Sequence, residues 1–248
     1  MSLDLWWARP GDAKDDHLSW FTDAERTRAA AYRHDVDRGR FIVGCALSRL
    51  VVADVLGCAP AEVPLTRECG TCERPHGKPR VVGDPVHLSV SHSGDHVVVA
   101  VTRSGPVGVD VEEVSERAKL PVSIVLAASE RALLERLYGA ERTAAFYRYW
   151  VRKESVVKAT GDGLRAPLST VIVSGSDDPA RLVSMPNHDA SIFAMADVDI
   201  DVEHAAAVTV IGPETISPRS WDASTSLRDG NIGTAPTSLD NRFTHGQS

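Results

Sequence analysis

Runs with strand period and runs with helix period succeed one another along the chain, and their order predicts its elements. "LDLWWA", from Leu3, reads as a first strand. Adjacent strand residues face opposite ways, so one of Trp6 and Trp7 is expected in the core and the other at a rim or between lobes. "FTDAERTRAAAYRHD" is helical, with Thr22 or Asp23 as N-cap and Glu25 in the first turn. "DRGRFIVGCALSRLVVADVLG" carries apolar residues too densely for a surface helix and predicts a buried helix stopping at Gly57. "HLSVSHSGDHVVVAVTRSGPVGVDVEEV" predicts three short strands divided by "SHSGD" and "RSGP". A helical stretch follows from "SERALLERLYG" to "VVKATGDGL", broken near Gly139. "STVIVSGSDD", "SIFAMADVDIDVE" and "AAAVTVIG" return to strands. From residue 213 the text is rich in Ser, Thr, Gly, Pro and Asp with few clustered apolars, and a disordered tail is expected. A faint echo joins the helices at Phe41 and Phe146. Each places a valine pair ten and eleven residues on, then a glycine, with Arg49 standing where Glu154 stands in the second copy.

Composition narrows the class. The 248 residues are 43% hydrophobic and 25% charged, which is ordinary for a globular protein of one large domain or two lobes. A net charge of −7 speaks against a nucleic-acid partner. No apolar run approaches a membrane span, no leader pattern opens the chain, and four cysteines do not suggest a disulfide framework. A cytoplasmic protein is expected.

Two stretches carry chemistry. In the strand "PVGVDVEEV", Val107, Val109 and Val111 share one face, and Gly108, Asp110 and Glu112 share the other, so two carboxylates project together. On the helix "YWVRKESVVKATGDGL", Trp150, Glu154 and Lys158 line one stripe with Lys153 on its flank. A glutamate flanked by two lysines suits a phosphate-and-metal site: the acid ligates a hard cation and the lysines neutralise phosphate oxygens. An exposed Glu–Lys helix pair worth a few tenths of a kcal/mol explains the same letters.

Taken together the two stretches resemble the signature of the 4'-phosphopantetheinyl transferases, in the larger, two-lobed class called Sfp-type. That signature is G-(V/I)-D-(V/I)-E followed by W-x-x-K-E-(A/S)-x-x-K-x-x-G-x-G-L. Its fixed positions are Gly108, Asp110, Glu112, Trp150, Lys153, Glu154, Lys158, Gly161, Gly163 and Leu164. "HGKPR" and "VSHSGDHVVVAV" resemble further family elements, and the likeness runs from about Trp6 to Gly212. The resemblance implies an α+β fold of two similar pseudo-symmetric lobes, residues 1–105 and 106–212, each a long helix on a small antiparallel sheet, with the site in the cleft between them and the tail at 213–248. It implies transfer of 4'-phosphopantetheine from coenzyme A to a serine of an apo acyl or peptidyl carrier protein, with adenosine 3',5'-bisphosphate released. Mg²⁺ would be held by Asp110, Glu112 and Glu154, since it takes few protein oxygens beside phosphate and water. Glu154 would deprotonate the serine, and Lys153 and Lys158 would hold phosphate oxygens and the leaving group. Arg40, Lys78, Ser91 and His92 would contact coenzyme A, with Arg28 a weaker candidate. By itself His92 reads as a core histidine.

The carrier is expected to dock on residues 120–147, where "LPVSIVLAA" offers apolar side chains and Arg117, Lys119, Arg131 and Arg136 a basic rim. A monomer is expected. The rival readings are a Mg²⁺-dependent phosphohydrolase and a coenzyme A-binding regulatory module. A zinc site from Cys69, Cys72, His92 and His96 has the wrong spacing, and "GDGLRA" follows a helix where a dinucleotide fingerprint follows a strand. In "DVDIDVE", Asp197, Asp199, Asp201 and Glu203 share a strand face, read as solvated because no lysine-bearing phosphate motif accompanies it.

Overall fold

A computed structural model describes residues 2–67, 77–116, 119–163, 166–212 and 215–233. Cys69, Cys72, Arg117 and Leu164 lie outside the described residues. In chain order the elements are β1 (Leu3–Ala8), α1 (Asp23–Ala30), α2 (Asp35–Leu56), β2 (Leu65–Thr66), β3 (Arg80–Val81), β4 (His87–Ser93), β5 (His96–Thr102) and β6 (Val107–Glu113). Then come α3 (Val122–Val125), α4 (Ala128–Leu134), α5 (Gly139–Thr160), β7 (Ile172–Val173), β8 (Leu182–Ser184), β9 (Phe193–Asp197), β10 (His204–Ile211), β11 (Pro218–Asp222) and α6 (Ser224–Asp229). The protein is thus α+β with small sheets. Among the described residues no helix is long and apolar enough to cross a membrane. The chain divides into two compact units: Ser2–Arg103 together with the chain from Pro218, and Ser104–Ser217.

In the first unit the sheet order is β11-β1-β5-β4, with β1 antiparallel to β5 and β5 antiparallel to β4. Thr22 caps α1 as expected: its Oγ1 accepts from the Glu25 amide at 3.3 Å, and Glu25 Oε2 accepts from the Thr22 amide at 2.9 Å. Every residue of α2 from Phe41 to Ala53 is buried, and Gly57 ends the helix with φ 70°. That burial encloses Arg49, whose Nη2 donates to Glu25 Oε2 at 2.7 Å and whose Nη1 donates to the Val63 carbonyl at 3.1 Å. Burial would raise the Glu25 carboxyl, but bonds from the Thr22 amide and Arg49 outweigh it and hold Glu25 below the ordinary range.

Trp6 and Trp7 are both buried, so neither stands at an exposed rim. Trp6 packs on Trp221 at 5.9 Å between centroids, and Trp7 meets the edge of His96 at 6.0 Å. The expected disorder from residue 213 does not hold for 218–229. There β11 runs parallel to β1, pairing Leu3 with Pro218 and Trp7 with Asp222, and α6 buries Leu227. Arg219 grips Asp4 with two bonds of 2.9 Å, and Trp221 Nε1 donates to Asp4 Oδ1 at 2.7 Å. Few apolar residues suffice here, because backbone pairing along an existing edge strand satisfies the peptide groups.

In the second unit the sheet order is β6-β10-β9, antiparallel throughout, and α5 lies on it. A Cβ on Gly108 would overlap the Ser155 carbonyl oxygen and the Ala159 amide nitrogen of α5. Gly108 therefore lets strand and helix backbones meet. The acid-bearing face of β6 is the face α5 covers, while Val107, Val109 and Val111 are fully buried on the other. "DVDIDVE" is no strand face. β9 stops at Asp197, and the chain then turns, with Asp201 Oδ1 accepting from the Glu203 amide at 2.8 Å and facing His204 Nδ1 at 2.9 Å. Val198 and Ile200 are buried while Val202 is 98% exposed, so the two-residue alternation is broken.

Candidate functional site

The register of β6 on β10 sets Asp110 opposite Ala207, on the same face as Gly108. Because Gly108 admits α5 so closely, Asp110 is covered by the helix and only 3% exposed. Lys158, one turn beyond Glu154 on α5, donates from Nζ to Asp110 Oδ1 at 2.6 Å. Glu154 is half-buried beside them. Burial pushes its carboxyl above the ordinary range, the charge of Asp110 pushes it further, and Lys158 pulls it back. Glu112 sits on the same face, partly exposed at the end of β6. Trp150 anchors the stripe, its ring 5.7 Å from Phe146 and nearly perpendicular to it.

Asp110 and Glu154 repel one another, Lys158 is bonded to Asp110, and the two carboxylates form a hard-oxygen donor set. A divalent cation would offset both the burial of Glu154 and the Asp110 charge that adds to it. The donor set fits Mg²⁺.

Lys153 does not fit the role expected of it. Its side chain is fully buried, pairs with Glu130 Oε2 at 2.5 Å, and donates to the carbonyls of Leu168 at 3.0 Å and Val171 at 2.5 Å. All three ammonium hydrogens are directed into the protein, so none is left to hold phosphate. Burial pulls Lys153 below the ordinary lysine range, and Glu130 opposes that. Glu130 itself escapes sequence reasoning. Its letter stands in a plain helical run, and only the fold brings it to Lys153.

Arg152 is a second functional-looking neighbour with a structural role. It is fully buried, donating from Nε to Asp197 Oδ1 at 2.8 Å and from Nη2 to Asp197 Oδ2 at 2.6 Å, and it also donates to the carbonyls of Gly175 and Asp178. Asp197, the first acid of "DVDIDVE", is thereby committed to an ion pair.

The residues expected to contact coenzyme A lie in the first unit. Arg40 donates from Nε to the Gly94 carbonyl at 3.0 Å and from Nη1 to Asp37 Oδ1 at 2.8 Å, which fixes it to the "SHSG" turn. Ser91 is buried on β4. His92 is exposed there, against the reading of a core histidine; the buried histidine is His96. Lys78 is half-exposed, and its charge is felt by Asp84 and His87. Arg28 lies over the Phe41 ring at 5.1 Å.

Residues 106–215 match the model of the 4'-phosphopantetheinyl transferase superfamily. A 4'-phosphopantetheinyl transferase of Bacillus subtilis is 29% identical over 203 residues, covering 81% of this chain and 87% of its own. The 4'-phosphopantetheinyl transferase psf-1 of Bacillus pumilus is 30% identical over 182 residues, 71% of this chain and 73% of its own. Sfp of Bacillus subtilis strain 168 is 25% identical over 203 residues, 79% of this chain and 85% of its own. The superfamily match falls on the unit that brings Asp110, Glu154 and Lys158 together, and the relatives extend it to the other unit. By that span of likeness the chain belongs to the 4'-phosphopantetheinyl transferases, in their Sfp-type class.

Proposed function

We propose that the protein transfers 4'-phosphopantetheine from coenzyme A to a serine hydroxyl of an apo acyl or peptidyl carrier protein, releasing adenosine 3',5'-bisphosphate, at a site built on Asp110, Glu112, Glu154 and Lys158. The observation that carries it is the juxtaposition of Asp110, Glu154 and Lys158 across the β6–α5 contact. Asp110 and Glu154 would hold Mg²⁺, with Glu112 completing the set directly or through water. The ion supplies charge neutralisation at the pyrophosphate. Lys158, tethered by Asp110, presents its charge to phosphate oxygens and to the leaving group. A Glu154 carboxylate oxygen takes the serine proton, directly or through a water. Arg40, Ser91, His92 and Lys78 are carried over from the family pattern as coenzyme A contacts, Arg40 and His92 being supported by their places at the "SHSG" turn. Lys153 is left out.

The carrier docks on α3 and its flanks. A groove there is lined by Leu120, Val122 and Ile124 with Lys119 and Arg131 at its edge, and Ile124 is 70% exposed. That mixture of apolar floor and basic rim matches an acidic partner.

The two units are related halves, the chain passing from one to the other near Gly105. In β1-α2-β4-β5 and in β6-α5-β9-β10 alike, the first strand pairs with the last and the third lies beyond it. Helices α2 and α5 both have 22 residues and both end on a left-handed glycine, Gly57 or Gly161. Arg49, paired with Glu25, stands in the first half where Glu154 stands in the second, so the acid of the proposed site has no counterpart there, and the protein acts as a monomer. The free thiols Cys45 and Cys58 suit a reducing cytoplasm, and the net charge of −7 offers nucleic acid no basic footprint.

Incubation with coenzyme A, Mg²⁺ and apo carrier proteins, read by intact mass, tests the reading. A carrier gaining one phosphopantetheine group is expected. Carrier-independent cleavage of coenzyme A without that gain would replace transfer by hydrolysis.

A further inference from the structure

We infer that Glu130 is a positioning residue for the transfer reaction, tying the segment proposed to dock the carrier to the helix that bears Glu154; this rests on the function proposed above. Glu130 is 2% exposed at the start of α4. Its Oε1 accepts from the Val173 amide at 3.0 Å, and its Oε2 accepts from the Ala127 amide at 2.8 Å and pairs with Lys153 Nζ at 2.5 Å. Through Lys153 it reaches the carbonyls of Leu168 and Val171. One carboxylate thus joins the α3–α4 segment, β7, the turn before β7 and the middle of α5.

A buried ion pair of this kind is a poor source of stability, because desolvating two charges offsets most of their attraction and an apolar pair of similar volume does as well. What it supplies is directional restraint. Lys153 immediately precedes Glu154, so the pair sets the rotation of α5 about its axis. The opposite side of α5 is fixed by the Gly108 contact and by Ser155 Oγ, 2.7 Å from Thr209 Oγ1. Held on both sides, α5 keeps Glu154 and Lys158 turned to Asp110. Since α4 follows α3 directly, a displacement in the docking groove passes to the same carboxylate.

The test compares wild type, E130Q, K153M and the apolar pair E130L/K153M in the full chain. It reads urea stability, single-turnover transfer at saturating coenzyme A and carrier, and Mn²⁺ affinity with coenzyme A present. Both single variants are expected to lose stability. The apolar pair is expected to regain it while transfer stays roughly 10- to 100-fold down, the scale of a small misplacement at a reacting centre, and Mn²⁺ binds several-fold more weakly. Recovery of rate and Mn²⁺ affinity together with stability in the apolar pair would overturn the inference. Should that pair not fold, E130D keeps the charge and shortens the arm by one methylene. A folded E130D about tenfold slower supports positioning, and a wild-type rate refutes it. If wild type transfers nothing, the proposed function fails by itself, and the Mn²⁺ comparison still decides: equal affinity in wild type and the apolar pair sinks the role of Glu130.

Discussion

Lys158 Nζ lies 2.6 Å from Asp110 Oδ1, so the charge presented by α5 is tethered to a strand acid 48 positions earlier. Both groups belong to the proposed site, and Lys158 is only partly buried. K158M and D110N are therefore expected to fold and to lose transfer by at least about 100-fold, the scale of removing one transition-state charge contact. Single-turnover rates on an apo carrier, with circular dichroism as the control for folding, check this.

Glu154 carries a cost in the fold. Burial and the Asp110 charge raise its carboxyl, so in the absence of cation its ionised form is disfavoured. The sign follows directly: folded protein binds this proton more tightly than unfolded protein, so the contribution to stability falls as pH rises through the Glu154 titration. E154Q is expected to abolish transfer while raising the melting temperature at neutral pH without added Mg²⁺. A lower melting temperature there would show that the carboxylate is net stabilising.

Gly108 sets the separation of β6 and α5. G108A places a Cβ against the Ser155 carbonyl and the Ala159 amide, both backbone atoms that cannot swing aside. A loss of roughly 1–3 kcal/mol in urea unfolding is expected from the overpacking. Transfer should fall at least tenfold in the fraction that remains folded, because the helix carrying Glu154 is pushed from Asp110.

Cys45 is 1% exposed, and burial raises its thiol from 9.0 to about 11. For an acid raised in the fold, the stabilising contribution is intact below pH 9 and lost between pH 9 and about 11. Native protein at pH 8 should leave Cys45 unmodified by a thiol reagent that labels it in urea. C45A should flatten the decline in stability above pH 9. Labelling of native Cys45 on the timescale of an exposed thiol would contradict its burial.

Residues 218–229 are part of the first unit. Leu227 is 1% exposed, and His17 Nε2 lies 3.1 Å from its carbonyl. L227A is expected to cost about 2–4 kcal/mol in urea unfolding, as for a buried leucine elsewhere. A chain ending at Ser217 should lose more, since it also strips the Trp221 contact with Trp6 and uncovers the edge of β1. Unchanged stability of that shorter chain would mean that the C-terminal strand is not held in solution.

Local pattern settled much of this protein. The cap at Thr22, the buried α2, the left-handed stops at Gly57 and Gly161, the three strands from His87 to Glu113 and the shared face of Asp110 and Glu112 all follow from side-chain period and backbone preference, which act over a few residues. The family signature followed from the letters themselves. Tertiary structure decided the rest. Whether Lys153 meets solvent or Glu130 depends on where α4 lies against α5, and no local pattern encodes that. Which acids form a platform depends on whether the chain stays extended: it does through Asp110 and Glu112, and it turns after Asp197. The strand at Pro218 forms because β1 offers an edge two hundred residues away. Burial, pairing and the proximity of charges are properties of segments meeting, so a single stretch of sequence carries the residue types for a site while the packing of helix on sheet chooses which of them can act.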